Sequence, residues 1–239
     1  MKQSSQEQGF NPIELLQSAA RFMPVGPVRI AMERLAGYEP EIREVDEFGM
    51  DTEFVQDIAP LMDFFYRNYF RVNLEGIENI PKTGPVILVA NHAGTLPWDA
   101  LVLIHALRFF HSEKRSLRPL LEDLLFHFPY IGTLMNRLGA VRACPENAER
   151  LLRNKACVLV FPEGTKGTKK LYQDRYNIQR FGRGGTIRLA ISNKAPIIPI
   201  GVVGSEEIYP MFGRLSLLAQ PLGIPYLPVT PTFPWLGPL

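Results

Sequence analysis

Two short apolar runs, Val86-Ile-Leu-Val-Ala90 and Cys157-Val-Leu-Val160, constrain the fold of this chain more than any other feature. Runs of this length without polar alternation belong to strands buried on both faces, as in parallel sheets covered by helices. Each run hands over to a polar string: Asn91-His92-Ala-Gly-Thr-Leu-Pro-Trp-Asp99 after the first, Phe161-Pro162-Glu163-Gly164-Thr165 after the second. Both strings then fall at one edge of a sheet, where open α/β sheets build their sites.

The rest of the chain alternates in the same way. Residues 97–110 read as a helix, 118–121 as a short strand, 122–127 and 131–138 as helices, and 139–142 as a brief extended piece. A charged amphipathic helix over 145–154 precedes the second apolar run; a helix over 185–193 and a strand over 196–203 follow it. Upstream, 39–57 is acidic and irregular, 58–70 is aromatic-rich and helical, and 71–84 alternates like an edge strand entering a turn. Strand and helix in alternation predict an α/β fold with a largely parallel sheet flanked by helices. With 239 residues and 46% hydrophobic content the chain can bury one sizeable core. The division expected is an N-terminal helical extension over 1–70 and one catalytic domain over 71–239.

A formal charge of +2 gives no electrostatic case for nucleic-acid binding by the chain as a whole. Cys144 and Cys157 are too isolated for a metal site or a disulfide framework, so a reducing compartment is expected. The first residues are polar and lack the apolar centre of a signal peptide, and no run of 18 apolar residues predicts a spanning helix. Residues 13–35 mix apolar positions with Arg21, Arg29 and Arg34 around a break at Pro24-Val-Gly-Pro27. Such helices either pack on the domain, the commoner outcome, or lie on an anionic membrane surface. The proline-rich tail over 210–239 carries one charge, Arg214, and reads as a lipid-facing or partner-facing segment, or as a chain that stops short of its natural terminus.

The chemistry starts at His92. Pro97 suits the first position of the following helix, which puts Asp99 in its first turn, where the helix dipole favours a carboxylate. Asp99 could then orient one ring nitrogen of His92 and leave the other to take a proton from a hydroxyl. A strand-end histidine held only by structural hydrogen bonds is the equal alternative on this string alone. Glu163-Gly164-Thr165 adds a carboxylate, a flexible backbone and a hydroxyl at the same edge. Over residues 163–194 the cations Lys166, Lys169, Lys170, Arg175, Arg180, Arg183, Arg188 and Lys194 face only Glu163 and Asp174. That excess suits an anionic substrate such as a phosphate ester or a coenzyme A moiety, although for most of these residues a solvated face explains it better. Arg142, after Gly139-Ala-Val, should emerge at a strand end, where it meets an anionic substrate or, nearly as readily, pairs with a helix carboxylate for stability.

Four blocks in fixed order carry a resemblance: Asn91-His92 with Asp99; Gly132-Thr-Leu-Met-Asn-Arg-Leu-Gly-Ala-Val-Arg142; Phe161-Pro-Glu-Gly-Thr165; and Ala195-Pro-Ile-Ile-Pro-Ile200. The chain resembles the glycerolipid acyltransferase superfamily, whose best-known members are the 1-acylglycerol-3-phosphate acyltransferases. The blocks span about half of the chain. In that family four residues separate the histidine from the aspartate; here six intervene.

The resemblance implies a glycerol-3-phosphate acyltransferase-like domain over 71–239 that moves a fatty acyl group from acyl-CoA, or an acyl carrier protein, to a hydroxyl of a glycerolipid such as lysophosphatidic acid. It implies His92 as general base and Asp99 as its partner, with no metal and no cofactor beyond acyl-CoA as co-substrate. Glu163, Gly164 and Thr165 would bind the acceptor's polar head, and Arg142 and Lys166 its phosphate. Backbone N–H groups near Gly94 or Gly164 could supply an oxyanion hole. It also implies a peripheral or monotopic position on the cytoplasmic side of a membrane. Three alternatives remain open: a neutral acceptor such as diacylglycerol or a long-chain alcohol, a thioester hydrolase, and a non-catalytic lipid-binding protein.

Overall fold

The computed structural model describes residues 44–93, 97–127, 131–181, 184–208, 210–219 and 226–232. The helices expected over 13–35, and residues 220–225 and 233–239 of the tail, lie outside the described residues. Before the sheet come α1 (Thr52–Asp57), α2 (Ala59–Phe64) and a π-helical turn at Phe65–Tyr69. Then follow β1 (Val86–Ala90), α3 (Trp98–Phe110), β2 (Leu117–Leu121), α4 (Asp123–His127), α5 (Ile131–Arg137), β3 (Val141–Arg142) and α6 (Pro145–Arg153). The chain continues through β4 (Cys157–Val160), α7 (Thr165–Thr168), α8 (Gly185–Asn193), β5 (Ile197–Ile200) and α9 (Ser205–Ile208). It closes with β6 (Gly213–Leu215), α10 (Ser216–Ala219) and β7 (Leu227–Val229).

The main sheet has five strands in the order β3-β2-β4-β1-β5, and every neighbouring pair is parallel. Both apolar runs sit at its centre. Because strand side chains alternate, Val86, Leu88 and Ala90 face one layer and Ile87 and Val89 the other. The first layer packs on Phe54, Leu103, Leu107, Met135 and Leu138. The second packs on Leu151, Leu152 and Ala190 of α6 and α8. Ile87, Leu88 and Leu159 are fully buried, and each such side chain contributes about 1.5–3 kcal/mol by leaving water.

Two expectations change. The alternation over 71–84 does not make an edge strand: Arg71 has a φ of 52°, which breaks an extended run, and the segment pairs with no strand before a 3₁₀ turn at Ile77–Asn79. Within the stretch read as irregular, Thr52–Asp57 is helical because buried Asp51 caps it, accepting the Phe54 N–H at 2.7 Å and pairing with Arg137 at 2.7 Å. In the tail, β6 and β7 form an antiparallel pair in the register Gly213↔Val229. Among the described residues no helix is long and apolar enough to cross a membrane.

Candidate active site

Neighbouring parallel strands end together, so their polar extensions meet. Val89 pairs with Val160, and the same offset of 71 positions continues past the ladder: the His92 N–H donates to Glu163 Oε1 at 3.0 Å. On the other side of β1, the Asn91 side chain replaces a backbone pair. Its Nδ2 donates to the Val202 carbonyl at 2.8 Å and its Oδ1 accepts the Val202 N–H at 2.7 Å. The histidine-bearing segment is thus anchored to the ends of β4 and β5 at once.

Asp99 lies in the first turn of α3 and is 2% exposed. Its Oδ2 stands 2.5 Å from His92 Nδ1 and accepts the Ala93 N–H at 3.2 Å; its Oδ1 accepts the Ala100 N–H at 2.8 Å. The two residues are therefore in contact despite the wider spacing, because helix α3 turns the carboxylate back toward the strand end. A carboxylate only accepts, so Nδ1 carries the proton and Nε2 presents a lone pair. Among the described residues no group hydrogen-bonds Nε2. The ring stacks on Phe161, with centroids 4.2 Å apart. Burial pulls the His92 pKa down, but the charge and hydrogen bond of Asp99, with Glu163 and Glu122 behind, outweigh it and leave the pKa raised.

The imidazole opens on a cavity of about 480 Å³. Leu120, Leu121 and Val160 form its floor on the sheet, Ala148 and Leu189 its walls on α6 and α8, and Tyr226 with Pro228 close it from the β7 side. Volume and lining fall within the range of small-molecule sites.

The remaining sequence-predicted residues divide. Glu163 is 3% exposed, and besides His92 it accepts the Gln179 N–H on Oε2 at 2.8 Å. The resemblance implies a contact with an acceptor head group; the structure instead commits both carboxylate oxygens to protein donors. Gly164 lines the cavity at a φ of 54°, and its N–H donates to the Phe161 carbonyl at 3.0 Å, so it does not stand free as an oxyanion donor. Gly94 lies outside the described residues. Thr165 begins α7, and Lys166 is exposed on it. Arg142 emerges at a strand end as expected, but its side chain is 65% exposed and paired with Asp123, while the adjoining Ala143 and Cys144 line the cavity. Sequence reasoning did not single out Phe161, Glu122 or Tyr226 as site residues. Phe161 had a signal in its place beside Glu163, whereas the other two are brought in by topology.

An α/β domain with a carboxylate-held histidine at adjacent strand ends, facing a mostly apolar cavity, is a geometry chemically suited to proton transfer beside an apolar ligand. The family model described as Acyltransferase matches residues 71–203, and the chain belongs to that family. A protein of Mycobacterium leprae described as uncharacterized is 50% identical over 195 residues, covering 81% of this chain and 53% of its own length. The human "DGAT1/2-independent enzyme synthesizing storage lipids" is 25% identical over 180 residues, covering 74% of this chain and 54% of its own. The chloroplastic 1-acyl-sn-glycerol-3-phosphate acyltransferase LPAT1 of Arabidopsis thaliana is 26% identical over 155 residues, covering 59% and 38%. The crystal structure of the 1-acyl-sn-glycerophosphate acyltransferase PlsC from Thermotoga maritima aligns with a TM-score of 0.48 at 19% identity, covering 93% of this chain and 88% of that one. The chain spans about half the length of the curated relatives it matches.

Proposed function

We propose that this protein transfers a fatty acyl group from an acyl thioester, on coenzyme A or an acyl carrier protein, to a hydroxyl of a glycerolipid, with His92 as general base and Asp99 as its partner. The observation that carries the reading is the junction of an Asp99-held imidazole with an apolar cavity of about 480 Å³. The acyl chain lies in the cavity, which sets the thioester carbonyl beside Nε2. His92 takes the acceptor's hydroxyl proton as the oxygen attacks that carbonyl. The C–S bond then breaks, and the departing thiolate recovers the proton from the imidazolium. The products are an ester and a free thiol, with no acyl-enzyme. Asp99 stabilises the imidazolium between the two proton transfers. The acceptor and the long-chain donor place the protein at a membrane surface.

The acceptor divides the reading in two. Lysophosphatidic acid is favoured by the family blocks and by Arg142 at a strand end, where exchange of Asp123 for a phosphate would free its guanidinium. A neutral acceptor such as diacylglycerol is favoured by the existing Arg142–Asp123 pair and by the cavity's apolar lining. Oleoyl-CoA offered with each acceptor, with thiol release and ester formation both followed, tests the whole reading. Ester formation that His92→Ala abolishes in a folded protein supports it. Equal thiol release with and without an acceptor would make the protein a hydrolase. Arg142→Ala should raise KM for the phosphorylated acceptor alone if the phosphate lies there.

A further inference from the structure

A buried charge cluster lies directly behind the candidate base. Glu163 Oε2 stands 3.7 Å from Lys170 Nζ, and Lys170 Nζ stands 3.3 Å from Glu206 Oε1. The three side chains are 0%, 3% and 7% exposed. Two carboxylates and one ammonium leave an excess negative charge, and among the described residues Glu206 Oε2 is buried with no hydrogen-bond partner. Removing three charges from water is costly, and an unmade hydrogen bond adds to the cost, so stability does not account for the cluster. Its placement does. Lys170 follows α7, and Glu206 lies on α9, past the end of β5. The chain Glu206–Lys170–Glu163–His92 therefore ties the segment after β5 to the segments after β4 and β1. Packing reinforces the tie: Gly167 of α7 sits so close to the histidine segment that an added Cβ would fall 2.9 Å from the His92 carbonyl oxygen.

We propose that Lys170, seated on Glu206, is a positioning residue. It holds the Glu163 carboxylate in register, so that Glu163 grips the His92 N–H and fixes where the imidazole points. The catalytic half of this inference rests on His92 being the base; the grip itself does not. A cation seated between two carboxylates is well placed for the task, because its loss would leave two buried like charges facing each other. Glu163 acts on His92 together with Asp99 and Glu122.

The test compares the full chain with Lys170→Met and Lys170→Arg, using two readouts. The first is hydrogen exchange at the His92 amide, followed by NMR. In K170M that amide should lose protection while the Ile87 and Val89 amides in the same strand keep theirs, and K170R should restore most of it. The second is the pH profile of oleoyl transfer. K170M should lower kcat by about 100-fold at every pH of the profile, as displacement of a catalytic group on the order of 1 Å does, with little change in KM. Unchanged His92 protection in folded K170M would overturn the proposal, as would wild-type kcat at every pH. Failure of K170M to fold, with Lys170→Gln equally unfolded, would make the cluster a stability element and overturn it too. A wild-type protein that transfers no acyl group would sink the proposed function, while the exchange comparison would still decide whether the grip exists.

Discussion

Replacing Asp99 by asparagine should be more damaging than replacing it by alanine. Asp99 Oδ2 faces two donors, His92 Nδ1–H and the Ala93 N–H, and Oδ1 receives a third from Ala100. An asparagine must turn its NH₂ toward one side. Facing His92, it sets a donor against the Ala93 N–H and offers a proton to Nδ1, which favours the tautomer whose Nε2 already carries a proton and cannot act as base. Facing Ala100, it sets a donor against that N–H. Alanine takes the acceptor from all three donors but sets no donor against them; the loss that reaches the reaction is the charge-assisted hydrogen bond to the imidazolium, worth about 1.5–3 kcal/mol, or roughly 10- to 150-fold in kcat. The wrong tautomer costs far more: aspartate-to-asparagine in a Ser-His-Asp triad lowers kcat by about 10⁴-fold. The expected order in acyl transfer, measured by thiol release with a fixed acceptor, is wild type, then D99A, then D99N. Both variants should also move the acid limb of kcat/KM to lower pH, since a base must be neutral and its pKa is raised here in large part by Asp99. Activity in D99N equal to or above that of D99A, or an acid limb that stays put in both, would refute the reasoning.

The Gly167→Ala variant should lower kcat with little change in donor KM, because the new Cβ would meet the His92 carbonyl oxygen at 2.9 Å and the His92 Cβ at 3.0 Å; overpacking should also cost about 1–3 kcal/mol in a urea melt. Ala148→Leu narrows the cavity from the α6 side and should depress kcat/KM for long acyl chains while sparing short ones, by roughly fourfold for each methylene excluded, or about 0.8 kcal/mol. The raised His92 pKa predicts a stability contribution that is fully present below the unfolded value of about 6.5 and is lost as pH rises through the folded value; His92→Gln should remove that part of the pH dependence of the urea midpoint.

The sheet core was legible because apolar runs without alternation have few other uses: β1 and β4 fall where their sequences put them, and the parallel register brings His92 beside Glu163. The contact between His92 and Asp99 was half legible: a helix starting near Pro97 could return Asp99 to the strand end, but the six intervening residues left the pairing open until the strand end and α3 were placed. The direction of Glu163 was not legible. A carboxylate after a strand reads the same whether it faces a ligand or the backbone of the next strand, and only the offset of 71 positions, known once the strands are paired, decides. Lys170 was harder still. Among eight cations in a basic stretch, nothing local marks the one that a carboxylate on α9, 36 positions away, draws inward. The edge strand expected after Arg71 failed for the converse reason: alternation was present, but the backbone turns left-handed at its first residue.

The two holds on His92 act on different parts of it, and that sets how their losses combine. Asp99 fixes the ring through Nδ1; Glu163 fixes the backbone through the N–H. If both serve one geometry, removing either already misplaces Nε2, and removing the second finds little left to lose. Asp99→Ala and Glu163→Gln should then be strongly non-additive in kcat, with the double variant close to the worse single variant, as for residues that act as a unit. Two independent contributions would instead multiply. A double variant whose loss equals the product of the single losses would mean that Glu163 reaches the reaction by a route other than His92, for instance through the acceptor contact that the family resemblance implies.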